Sequence, residues 1–75
     1  MKQIGIIGAG AIGQKHAEAA RDAGAAVRWI ADTSFARAAE LAEKFGGAPC
    51  DSADTVLNDD AVDAIVTVTQ GYPYF

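Results

Sequence analysis

The sequence predicts an α/β fold, an incomplete doubly wound parallel sheet, and three observations carry that expectation. Short β-branched apolar runs alternate with helix-forming segments along all 75 residues. A glycine-rich stretch separates the first run from the first helical segment. The second run ends on an aspartate, 19 positions after the last glycine of that stretch.

The run Gln3-Ile4-Gly5-Ile6-Ile7-Gly8 is continuous and β-branched, as a strand buried on both faces of a parallel sheet must be. Ala11 to Ala23 is alanine-rich and predicts a first helix, which Gly24 stops. Its small side chains allow close approach to a sheet. Val27 to Ala31 predicts the second strand, with Trp29 in the core, and Thr33 or Ser34 caps the next helix. That helix places Phe35, Ala38, Ala39, Leu41, Ala42 and Phe45 on one face, with Arg37, Glu40, Glu43 and Lys44 largely opposite. Gly46-Gly47 ends it. Ala48-Pro49-Cys50 suits a short edge strand, Ser52 caps one or two turns through Leu57, and Val62 to Thr69 predicts the last strand. An aromatic, turn-forming tail follows from Gln70 to Phe75.

Composition narrows the function classes. With 51% hydrophobic and 21% charged residues the chain is a folded domain, one small domain at most. A net charge of -4 argues against nucleic acid and anionic membranes as partners, because phosphate surfaces select dense Lys and Arg. No run reaches the length needed to span a bilayer, and Met1-Lys2-Gln3 does not open a signal peptide. The single cysteine, Cys50, cannot pair within the chain, and a cytoplasmic protein is expected. Metal-ligand spacing is absent. Asp51, Asp54, Asp59, Asp60 and Asp63 lack the pattern of a calcium loop and read as a solvated face.

Gly8-Ala9-Gly10-Ala11-Ile12-Gly13 is a GxGxxG stretch between a strand and a helix. In that context Gly8 permits the tight turn, Gly10 lets backbone approach a pyrophosphate, and Gly13 allows close helix-strand packing. The helix N-terminus supplies N–H donors to the phosphates. Asp32 is placed to accept hydrogen bonds from the adenosine ribose and to repel a 2′-phosphate, favouring NAD. Thr33, Ser34 and Arg37 could donate to such a phosphate, so NADP stays the alternative. The bland reading makes the glycines a tight turn and Asp32 a strand end. Strand, loop, helix and acid agreeing in spacing favours the cofactor site.

The stretch Ile6 to Ala17, with Ala31-Asp32, Arg37 to Gly46, and Val62 to Val66 followed by Thr69, resembles the opening of the Gfo/Idh/MocA oxidoreductase family. The resemblance implies a Rossmann fold with strand order 3-2-1-4, and places Thr69 near the phosphate or nicotinamide side of the cofactor. It implies that residues 1–75 are the N-terminal portion of a dinucleotide-binding domain, without the catalytic and substrate domain. The parent enzyme would transfer hydride between NAD and a sugar, polyol or related hydroxyl substrate. The tail departs from the family: Thr69-Gln70-Gly71-Tyr72-Pro73-Tyr74 stands where Thr-Pro-Asn-x-x-His is common, with Tyr74 at the histidine position. The family's catalytic Lys-Pro segment has no counterpart here. No catalytic residue is therefore assigned, and no turnover is expected of these residues alone. His16 matches a frequent family histidine but suits helix packing or a local hydrogen bond better than chemistry. The competing class is a stand-alone nucleotide-binding or interaction module, or a gene remnant. In either case an uncovered sheet edge or face is expected to promote self-association.

Overall fold

A computed structural model describes residues 1–67 of the chain. Strands β1 (Gln3–Ile7), β2 (Ala26–Ala31), β3 (Ala48–Cys50) and β4 (Ala64–Thr67) form one sheet in the order β3-β2-β1-β4. All three pairings are parallel. The crossovers are α1 (Ala11–Asp22), α2 (Phe35–Phe45) and the short α3 (Ala53–Leu57). This is the expected α/β architecture, an incomplete Rossmann sheet.

The core divides by strand parity. Ile6 and Ile30 are fully buried beneath α1 and α2, against Ala17, Ala38, Leu41 and Ala42. Neighbouring residues of a strand point to opposite faces, so Gly5 looks the other way, toward α3. A Cβ on Gly5 would collide with a Val56 methyl, and Val56 is itself fully buried. The glycine lets a five-residue helix lie directly on the sheet.

Element ends follow local chemistry. Ala23 closes α1, and Gly24 turns the chain at a φ of +83°, with its N–H donating to the Arg21 carbonyl at 3.0 Å. Ser34 is the cap of α2, its Oγ accepting from Arg37 N at 3.4 Å. Ser52 caps α3, accepting from Asp54 N at 3.2 Å. Two packing expectations are corrected. Phe35, the first residue of α2, stands 52% exposed, and the buried stripe of the helix begins at Ala38. His16 is exposed on α1, without the packing role expected of it.

The last strand begins later than its apolar run suggests. Val62 closes a turn on the Asp59 carbonyl at 3.1 Å, and Asp63 anchors the start of the sheet instead of joining β4. Asp63 N donates to the Gln3 carbonyl at 2.8 Å, while Gln3 N donates to Asp63 Oδ2 at 2.7 Å. The expected end of that strand, Thr69, and the aromatic tail lie outside the described residues.

The pairing of β1 with β2 shifts between Ile4 and Gly5: Ile4 faces Val27 and Gly5 faces Trp29, leaving Arg28 as an extra residue. This bulge puts Val27 and Ile30 on the same, buried side. It also delivers two consecutive donors to one acceptor. Arg28 Nε and Trp29 Nε1 both donate to Asp59 Oδ2, at 2.5 and 2.6 Å, while Ala61 N donates to Asp59 Oδ1 at 2.9 Å. Trp29 is thus half-buried with a bonded indole, rather than a plain core residue.

The Asp59 clasp has a pH signature. Hydrogen bonds from Arg28, Trp29 and Ala61 lower its carboxyl from 3.8 to about 2. A carboxylate with a depressed native pKa contributes stability that is complete above its unfolded value and fades as pH falls through the native one. Acid melting should therefore steepen between about pH 4 and about pH 2. In Asp59→Asn the dependence of Tm on pH over that window is expected to flatten; an unchanged profile would remove the clasp from the account.

Candidate functional site

The glycine stretch forms the turn from β1 into α1, at the carboxyl end of the sheet. Gly8 leaves the strand with a φ of +107°, a conformation open to glycine, and its N–H donates to the Ala31 carbonyl at 2.7 Å. Gly13 is buried, and a Cβ there would overlap the Gly8 carbonyl oxygen and come within 3.0 Å of its carbon. These two glycines are explained by the fold itself.

Gly10 is different. Its φ of -75° and ψ of -163° suit any residue, and a Cβ would meet nothing within 4 Å. The fold therefore gives no reason for a missing side chain at this position. A ligand lying against the backbone would.

Gly10 is the N-cap of α1, with no side-chain cap and no acidic residue in the first turn. Helical bonding begins with Gln14 N donating to the Gly10 carbonyl at 3.0 Å, so the amides of Ala11, Ile12 and Gly13 precede the ladder. No side chain of α1 itself thus offsets the positive end of this 12-residue helix at the loop. Ala11 and Ile12 are exposed beside it, Ile12 by 57%. Donors, dipole and open backbone fit the pyrophosphate of a dinucleotide.

Asp32 follows the last residue of β2, held at the loop by Asp32 N donating to the Cys50 carbonyl at 3.1 Å. Its Oδ2 accepts from Ala9 N at 2.8 Å. Its Oδ1 accepts from Ser34 N at 2.8 Å and faces the Thr33 hydroxyl at 3.5 Å. Desolvation by burial raises the carboxyl, but the Ser34 and Ala9 hydrogen bonds, the Arg37 charge and Thr33 outweigh it and hold it below 3.8. Asp32 is thus ionised at neutral pH. A carboxylate offers about four lone-pair directions, so ribose hydroxyls can still be accepted beside these bonds.

The structure brings Gly8, Ala9, Gly10, Ala11, Ile12, Gly13 and Asp32 into one contiguous site, whereas Thr69 lies outside the described residues. The Asp32 bond to Ser34 was open to sequence reasoning, since aspartate commonly accepts from the amide two residues on. The bond to Ala9 was not, because it joins residues 23 apart. Among the described residues no group of His, Cys, Asp or Glu is arranged to hold a metal, and no helix is long and apolar enough to cross a membrane. Cys50 is half-buried, its Sγ lying 3.5 Å from the Ser52 carbonyl.

Comparison with known proteins agrees with this geometry. The model of the Gfo/Idh/MocA oxidoreductase family, NAD-binding Rossmann fold, matches residues 2–73. A search of curated proteins gave no match. Among solved structures, the chain is similar to myo-inositol dehydrogenase from Lactobacillus casei in complex with NAD(H) and myo-inositol. Identity is 27% with a TM-score of 0.84, covering 95% of this chain and 22% of that one. A myo-inositol dehydrogenase from Corynebacterium glutamicum is 35% identical with a TM-score of 0.80, covering 92% and 21%. KijD10, a 3-ketoreductase from Actinomadura kijaniata solved with NADP, is 33% identical with a TM-score of 0.74, covering 85% and 21%. The chain spans about a fifth of the length of these structures. Its match over residues 2–73, on a sheet of order 3-2-1-4 with the glycine loop at the β1–α1 turn, establishes that the chain belongs to the Gfo/Idh/MocA oxidoreductase family with its NAD-binding Rossmann fold.

Proposed function

We propose that this chain is the adenosine-side cofactor grip of an NAD-dependent oxidoreductase, the N-terminal portion of a dinucleotide-binding domain. The observation that carries the reading is Gly10, a helix cap whose missing side chain the fold does not require. In this reading the amides of Ala11, Ile12 and Gly13 bind the pyrophosphate. Gly8 and Ala9 shape the loop, with the Ala9 amide directed to Asp32. Asp32 accepts from the ribose hydroxyls, and Thr69 lies toward the phosphate or nicotinamide. Bound NAD supplies the hydride acceptor. The residues here hold and orient; proton transfer and substrate selection belong to other parts of a longer enzyme, consistent with the fifth of its relatives' length that the chain spans. Turnover by residues 1–75 alone is not expected.

The myo-inositol bound by the Lactobacillus casei dehydrogenase, a cyclic polyol, supports a sugar, polyol or related hydroxyl substrate for the whole enzyme. The outer strand β4, with Ile65 39% exposed, supports self-association through the sheet edge or face. Sedimentation of a concentration series tests that point, and a strict monomer would exclude it. The cofactor reading is tested by calorimetric titration of the chain with NAD and NADP. The ionised Asp32 should disfavour a 2′-phosphate, so NAD is expected to bind about tenfold more tightly. Tighter binding of NADP would overturn the assignment.

A further inference from the structure

We propose that Asp32 is also a positioning residue, whose carboxylate clamps the glycine loop to the start of α2 and so sets the loop for phosphate before any ribose arrives. The proposal rests on the cofactor reading above and adds a second task to the same side chain.

Three bonds make the clamp. Oδ2 accepts from Ala9 N inside the loop, Oδ1 accepts from Ser34 N at the cap of α2, and Asp32 N is fixed to the Cys50 carbonyl of β3. One residue thus ties together the β1–α1 loop, the β2–α2 turn and the edge strand. The two carboxylate oxygens accept separately from backbone groups 25 positions apart in sequence, Ala9 and Ser34. An amide has a single acceptor oxygen and can satisfy only one of them.

The neighbours of Ala9 give the clamp its consequence. Ala9 is buried, and its N–H has no other acceptor among the described residues. Without the carboxylate that amide loses its bond, in the residue between Gly8, which makes the positive-φ turn, and Gly10, which caps α1. The loop segment that leads into the α1 amides would then lose the bond that fixes Ala9, although Gly8 stays tied to Ala31. A specificity consequence follows as well. Replacing Asp32 to admit a 2′-phosphate also removes the clamp, so a switch to NADP by this substitution alone forfeits much of what relieving the repulsion gains.

The test separates clamp from ribose contact with a probe that has no ribose hydroxyls. ADP and 2′,3′-dideoxy-ADP are titrated against the wild-type chain, Asp32→Ala and Asp32→Asn. A residue that acts only on the hydroxyls cannot affect the dideoxy probe, and loss of its negative charge would even favour a phosphate ligand. A clamp predicts the opposite: dideoxy-ADP binds about fivefold more weakly to both variants. Amide exchange at Ala9 in the ligand-free chain should also accelerate in Asp32→Ala, which removes both acceptor oxygens. Dideoxy-ADP affinity and Ala9 exchange both unchanged, with ADP alone weakened, would overturn the clamp and leave the cofactor site standing. Failure of the wild-type chain to bind either nucleotide would overturn both.

Discussion

Gly13→Ala is expected to lower stability by about 2 kcal/mol, a fall in Tm of roughly 8–16 °C for a domain of this size. Two effects oppose each other here. Alanine inside a helix is favoured over glycine by about 1 kcal/mol. Its Cβ, however, would overlap the Gly8 carbonyl oxygen and sit 3.0 Å from the Gly8 carbon. That neighbour is backbone, and it is fixed by the Gly8 N–H bond to the Ala31 carbonyl. A flexible side chain could turn aside; this oxygen cannot move unless α1 lifts off β1. Overpacking against such a neighbour lies at the upper end of the usual range, about 3 kcal/mol, and outweighs the propensity gain. Thermal melts followed by circular dichroism read the result directly. A variant melting within about 2 °C of the wild type would mean that α1 is not seated on β1 as described.

The sequence made most of this architecture legible because each element carries its own punctuation. Gly24 stops α1, Ser34 and Ser52 cap the next two helices, and Pro49 marks an edge strand. Strand order came from the family resemblance, since parallel strands of similar composition do not announce their neighbours. Bulges are harder still. The one at Arg28 depends on how β2 fits β1, and with it came the Asp59 clasp, which no local pattern shows. The run Val62 to Thr69 reads as one strand, yet Asp63 is drawn to Gln3 by a pairing 60 residues distant in sequence. Phe35 fits the helical period of α2 but stands exposed as its first residue, ahead of the buried stripe.

The site shows the same division. The GxGxxG spacing and Asp32 were visible, and each glycine was assigned a task. The structure sharpens those tasks: Gly8 answers to backbone conformation, Gly13 to packing, and Gly10 to neither. What remained hidden was that Asp32 is already bonded to the loop through Ala9. Contacts between distant segments are the part of a site that spacing cannot reveal.

Gly10→Asp separates fold from function more sharply than any other change. Aspartate is a preferred helix cap, its carboxylate would meet the positive end of α1, and the extended backbone at Gly10 accepts it without collision. Stability should hold or rise by about 0.5 kcal/mol. The same carboxylate would occupy the space left for a pyrophosphate and repel it, at about 1–4 kcal/mol for charges about 4 Å apart. The decisive measurement is therefore the NAD affinity of Gly10→Asp beside its melting temperature. The expected result is a Tm equal to or above wild type with NAD binding weakened at least about tenfold. A folded Gly10→Asp that binds NAD within about twofold of the wild-type chain would contradict it.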